Sequence, residues 1–149
     1  MPFPKHGKVC AMIAYLIMEQ ALKQDLGHVM SNDSFVKTRS GPDTVRGPDV
    51  SFYSYDRLPR GEVPEGLLAV APDLVVEVRS PSDKWTGIFA KVSEYLEAGV
   101  RVVVVLDEAS TSASVYRADE LQHTFHNGDE LTVPEVLPGF AVAVRRLFE

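Results

Sequence analysis

An α/β fold of the α+β kind, a mixed β-sheet flanked by helices and followed by antiparallel hairpins, is predicted by three features of the sequence. The first is a helical repeat of apolar residues near the N-terminus. The second is a strand, helix, strand succession running from APDLVVEVRS at 71–80 to RVVVVLDE at 101–108. The third is a change, from about residue 112 onward, to short alternating runs separated by turn residues. A strand and a strand joined through a helix pair in parallel, whereas short runs joined by tight turns pair antiparallel, so both geometries are expected in one chain.

The N-terminal element comes first. From Gly7 to about Leu26 the apolar residues Val9, Met12, Ile13, Leu16, Ile17 and Leu22 recur at helical spacing, and Gly27 supplies a stop. HVMSNDSFVKT then reads as one short strand leading into the turn SGPDT, with VRGPDVSFYS as the return strand of a hairpin. Alternation on that return strand sends Val50 and Phe52 one way and Asp49, Ser51 and Tyr53 the other. Residues 56–69 mix charge, proline and glycine, as a surface excursion does.

In APDLVVEVRS, Leu74, Val76 and Val78 fall on one face and Asp73, Val75, Glu77 and Arg79 on the other. Trp85, Ile88, Phe89, Val92, Tyr95 and Leu96 then follow helical intervals, with Ser82 or Asp83 as the expected cap and Gly99 as the stop. VVVVL at 102–106 is apolar on both faces and reads as a buried strand. In the tail, Ala-Asp and Asn-Gly-Asp turns separate runs that read as antiparallel hairpins.

Composition bounds the function. At 149 residues the chain fits a single domain over 1–149, large enough to bury a core without disulfides. No apolar run is long enough to cross a bilayer and no leader pattern opens the sequence, so a soluble, cytoplasmic protein is expected. The single Cys10 lies among apolar helix residues and reads as a small core residue. A net charge of −6 argues against a broad basic surface that coats nucleic acid, but leaves room for a local groove whose carboxylates are neutralised by a cation.

Asp49, Asp73 and Glu77 pose the chemical question, because carboxylates on buried strands need a partner: a metal ion, an arginine or solvent. If Asp49 and Glu77 share a face of neighbouring strands, their repulsion would be relieved by a hard divalent cation, with the Val78 carbonyl as a further ligand. Lys91, on the helix after Glu77, could orient or deprotonate water and stabilise charge at a phosphate. Arg79 could clamp a phosphate or pair with Glu77, but stays protonated and cannot act as a base. The alternative is structural: Asp49 as a turn residue, Glu77 in an ion pair with Arg79 or Lys91, and Lys91 with Glu94 as a surface pair. The four histidines are scattered and give no zinc pattern, and no glycine-rich phosphate loop or nucleophile elbow is present.

The ordered set GPDV, PDLVVEVRSPSD, Lys91-x-x-x-Tyr95 and AGVRVVVVLD resembles the Uma-two family of restriction-endonuclease-like proteins, a branch of the PD-(D/E)XK nuclease superfamily. The resemblance runs from His6-Gly7 to the LPGF segment. It implies a restriction-endonuclease-like core and a Mg²⁺-dependent endonuclease acting on DNA, with Mn²⁺ as a substitute. The superfamily's metal-holding and water-supporting roles carry over to Asp49, Glu77 and Lys91; beside them, the reading of the residues adds the Val78 carbonyl as a further metal ligand and Arg79, Ser80 and Tyr95 as candidate substrate contacts, with Ser82 in the surrounding shell. Two departures stand out: Arg79 occupies the usual lysine position two residues after Glu77, with the lysine transferred to Lys91, and the acidic N-terminal hairpin usual before His-Gly is missing. An unpaired sheet edge would favour a homodimer. The rival expectation is a catalytically silent nuclease-like fold that binds DNA or another protein.

Overall fold

The computed structural model of the protein describes residues 3–149. Helix α1 spans Pro4–Lys23 and buries Val9, Ile13, Leu16, Ile17 and Ala21 along one stripe, while Leu22, expected in that stripe, is exposed. It starts three residues earlier than the apolar repeat indicated, because Pro4 occupies the first turn, where a proline lacks nothing the helix needs. That early start places His6 inside the helix. The expected stop at Gly27 is also displaced. Asp25 takes the left-handed conformation after the helix, at φ 58°, and Gly27 instead opens the next strand. A Cβ at Gly27 would lie 2.1 Å from the Tyr53 carbonyl oxygen, so the close approach of two strands is what requires glycine there.

Strand β1 (Gly27–Ser31) is separated from β2 (Val36–Arg39) by Asn32 and Asp33, both at positive φ, so the expected single strand is two. β2 pairs with β3 (Thr44–Arg46) as a small ribbon. β1 runs antiparallel to β4 (Val50–Ser54). β5 (Leu74–Arg79) lies between β4 and β6 (Val102–Asp107), antiparallel to the first and parallel to the second, with helix α2 (Trp85–Glu97) connecting β5 to β6. β7 (Ser112–Tyr116) and β8 (His123–Phe125) complete a six-stranded sheet in the order β1-β4-β5-β6-β7-β8. The anticipated mixture of parallel and antiparallel pairing is therefore present.

Alternation divides the core as the sequence indicated. Val50, Phe52, Leu74, Val76 and Val78 pack on the α1 side, whereas Val75, Val103 and Val105 pack against Ile88, Val92 and Tyr95 of α2. Every residue of β6 is buried. Phe89 departs from expectation: it is 45% exposed, stacked on Trp85. The cap of α2 departs too, since Lys84 is the N-cap and the Asp83 carboxylate instead accepts from the Ser80 backbone N–H, tying the SPSD turn to the end of β5.

The tail forms one of its expected hairpins. β7 and β8 pair antiparallel, but the Asn-Gly-Asp turn joins β8 to β9 (Glu130–Thr132), which pairs with β10 (Ala141–Ala143) in a separate ribbon. Leu131, Leu137, Val142, Val144 and Leu147 then close the core beneath α1, burial that outweighs the pairing a local hairpin would give. Among the described residues, no helix is long and apolar enough to cross a membrane.

Candidate metal centre and active site

The antiparallel register of β4 and β5 pairs Val50 with Val76, so Asp49 stands one step further along, level with Glu77. Glu77 is on the α2 side of the sheet, where it meets Tyr95, whereas Asp49, just ahead of β4, lies at the strand end within reach of His6 on α1. Asp49 Oδ2 accepts a hydrogen bond from the Val78 backbone N–H at 2.8 Å. Glu77 is 6% exposed, and its Oε1 accepts from the Tyr95 hydroxyl at 2.8 Å. Each carboxylate thus has one oxygen fixed and the other without a hydrogen-bond partner among the described residues, and neither free oxygen is sealed from solvent.

The electrostatics follow from that placement. Burial pushes the Glu77 carboxyl up to about 7; Asp49 and Asp33 add to the rise, while Lys91 and the Tyr95 hydrogen bond oppose it. Burial likewise raises Asp49, against the Val78 N–H and the positive fields of His6 and Lys91. Lys91 is half-buried on α2 and lies near both carboxyls, yet no ion pair within 4.0 Å joins it to either. Two adjoining carboxylates that lack a bound counter-charge favour a cation between them.

His6 completes the cluster, and the sequence reading missed it. Its Nε2 lies 3.1 Å from the Val78 carbonyl oxygen and 3.5 Å from Asp49 Oδ2. The signal was Pro4: a proline in the first turn places the helix start ahead of His6, and so brings the ring onto the end of β5. Cys10, one turn later on α1, sits 3.6 Å from His6 Nδ1; burial and the surrounding acids push its thiol up to about 12. Asp33, on the β1–β2 turn, was missed as well. Its main-chain oxygen packs against Gly47, where a Cβ would come within 2.9 Å, and its charge is felt at Asp49, Glu77 and Cys10.

The remaining candidates separate. Asp73 lies at the far end of β5, where it accepts from the Ser54 N–H at 2.6 Å and stands 3.5 Å from both Arg57 and Arg101. Its partner is arginine, and it takes no part in the cluster. Arg79 pairs with Asp107 at 3.0 Å and lies over the Trp85 ring at 4.6 Å, so it is not the partner of Glu77. Ser80 is buried in the SPSD turn. Glu94 pairs with Arg46 at 2.6 Å and with Thr38, which leaves Lys91 without the surface pairing open to it in the sequence. Tyr95 is wholly buried and acts on Glu77 rather than facing solvent.

Among the described residues, the side-chain donors that gather within 4.8 Å of one another are those of His6, Cys10 and Asp49, and Glu77 stands outside that group. Two carboxylates, a strand-end carbonyl and an imidazole are nonetheless donors of the kind that a hard divalent cation accepts while keeping water positions open.

Comparison with known proteins agrees with this architecture. A crystal structure at 1.96 Å of "a putative nuclease belonging to DUF820" from Anabaena variabilis ATCC 29413 superposes with a TM-score of 0.87 at 22% identity, covering 99% of this chain and 82% of that one. No protein with a curated description matches the chain. The family model described as "Putative restriction endonuclease", Uma2, matches residues 1–145. The chain, with its nuclease-like mixed sheet, belongs to the Uma2 restriction-endonuclease-like family.

Proposed function

We propose that the chain, acting as one domain, is a divalent-metal-dependent endonuclease that hydrolyses phosphodiester bonds in DNA. The observation that carries this reading is the level placement of Asp49 and Glu77 along the β4–β5 register, with the Val78 carbonyl at the same strand end and the charge of Lys91 acting on both carboxyls. Asp49, Glu77 and the Val78 carbonyl would hold Mg²⁺, or Mn²⁺ in its place, with His6 at the rim of the same site. Such a cation, when bound, neutralises phosphate charge and acidifies water.

The protein groups divide the remaining work. The Val78 N–H fixes the Asp49 carboxylate, and the Tyr95 hydroxyl fixes that of Glu77, so the two free oxygens are held in place before any ligand arrives. Lys91, half-buried and without an ion-pair partner among the described residues, would offer positive charge to the attacking water and to the oxyanion developing at phosphorus. A groove lined by Asp83, Lys84, Thr86, Gly87, Ile88 and Lys91 would give the phosphate backbone an approach along the start of α2, where the two lysines outnumber the one carboxylate. Arg79, fixed by Asp107 and Trp85, buttresses the end of β5 in this reading and contacts phosphate at most through its outer edge.

The test is cleavage of plasmid, single-stranded and branched DNA with Mg²⁺ or Mn²⁺. Asp49→Ala and Glu77→Ala are each expected to lose activity by about two orders of magnitude or more. Activity in either variant equal to that of the unaltered protein contradicts the assignment.

A further inference from the structure

Cys10 has no function in the hard-cation centre, yet it lies within reach of two of its members. Its Sγ is 3.8 Å from His6 Nε2, which is itself 3.5 Å from Asp49 Oδ2 and 3.1 Å from the Val78 carbonyl oxygen. One ligand atom from each of His6, Cys10 and Asp49 falls within a sphere where all lie inside 4.8 Å of one another. A tetrahedral zinc ion, bonded at about 2.3 Å to sulfur and about 2.0–2.1 Å to nitrogen or oxygen, separates its donors by about 3.3–3.6 Å. The observed spacings need only small side-chain adjustments to reach that. The i, i+4 placement of His6 and Cys10 on α1 keeps both donors on one helix face, and Asp49 comes from a strand end held by a backbone hydrogen bond.

We propose that His6, Cys10 and Asp49 form a second coordination mode, selective for thiophilic divalent ions such as Zn²⁺, that overlaps the hard-cation site through Asp49. In this mode Cys10 replaces Glu77 as the anionic ligand, with the Val78 carbonyl or a water in the fourth position. The thiol gives up its proton to solvent as the sulfur–metal bond forms, and His6 binds through the Nε2 lone pair with its proton on Nδ1. Soft thiolate and imidazole donors favour Zn²⁺ over Mg²⁺, whereas the Asp49–Glu77 pair does not discriminate in that direction. Because Asp49 cannot serve both ions in full, Zn²⁺ acts as an antagonist of Mg²⁺ or Mn²⁺ occupancy. The inference shares Asp49 with the proposed nuclease centre but stands whether or not the chain cleaves DNA.

The experiment is an anaerobic titration of the full chain with Co²⁺, read by absorption. Cys10 is the single cysteine, so a sulfur-to-cobalt charge-transfer band reports this residue alone. The band is expected in the unaltered protein, abolished by stoichiometric Zn²⁺, absent in Cys10→Ser, and weakened in affinity by about tenfold or more in His6→Ala and Asp49→Asn. It should persist in Glu77→Gln. Co²⁺ binding without a thiolate band, or a band whose affinity is unchanged in both His6→Ala and Asp49→Asn, overturns the proposal. Mn²⁺ binding, followed in parallel by electron paramagnetic resonance, reports the hard-cation centre separately: its weakening in Glu77→Gln supports that centre even where the thiolate band is missing.

Discussion

The Tyr95 hydroxyl donates to Glu77 Oε1 at 2.8 Å across the interface of α2 and β5, joining two residues that are both buried. This bond fixes the carboxylate at the point where burial makes its charge costly, and it favours the charged form. Tyr95→Phe keeps the ring packing and removes the donor. It is expected to lower stability by about 1 kcal/mol and to raise the Glu77 pKa further. The acid limb of a Mn²⁺-binding profile should therefore move to higher pH. Chemical denaturation and Mn²⁺ titration at several pH values measure both effects.

Without a bound cation, stability should depend on pH in the sense opposite to an ordinary salt-bridged carboxylate. The Glu77 carboxyl lies at about 7 in the fold against an ordinary 4.5, so the folded chain binds the extra proton between those values. Its contribution is fully present below pH 4.5 and is lost as pH rises to about 7, on the order of a few kcal/mol at most. Asp49, also raised, acts in the same direction. Melting temperatures in chelator are expected to fall across this window relative to a Glu77→Gln reference, and saturating Mn²⁺ to remove the difference. A flat difference between the two proteins would count against the burial of a Glu77 carboxylate that lacks a neutralising counter-charge.

Lys91 and the carboxylates should separate in their effects. Lys91→Met removes a positive charge beside the proposed centre, so at pH 8 Mn²⁺ affinity is expected to hold or increase while DNA cleavage falls by about 10² or more. Loss of both together would make Lys91 a scaffold residue.

Asp73 offers the contrast that isolates the site. It shares a strand face with Glu77 but answers to Arg57, Arg101 and the Ser54 N–H. Asp73→Asn is expected to cost about 1–3 kcal/mol of stability through weakened charge-assisted bonds, with Mn²⁺ affinity unchanged. Differential scanning calorimetry and metal titration on one preparation test the pair of expectations.

The sequence made the sheet and the strand faces of its carboxylates legible for a simple reason. Period-two alternation in PDVSFY and PDLVVEV assigns faces, and the βαβ succession sets β5 beside β6. It did not show which strand lies on the other side of β5, and that neighbour, β4, is what brings Asp49 level with Glu77. The misreadings share a cause. Gly27 and Asp83 are ordinary helix-boundary residues by type, but at Gly27 a strand approaches too closely for any side chain, and Asp83 is taken by the turn after β5. His6 was obscured because a histidine outside a repeat carries no periodic signal; only the helix start at Pro4 and the packing of α1 on β5 give it a position. Arg79 was readable as a cation near Glu77, whereas its true partner, Asp107, comes from the adjacent parallel strand, in register with it.

Anomalous diffraction from a Mn²⁺-soaked crystal tests the central claim most directly, since it locates the cation without reference to activity. The expected result is a peak bonded to free carboxylate oxygens of both Asp49 and Glu77 and to the Val78 carbonyl, with His6 alongside. A peak elsewhere, or a well-ordered lattice in which Asp49 and Glu77 share no Mn²⁺ at saturating concentration, would contradict it.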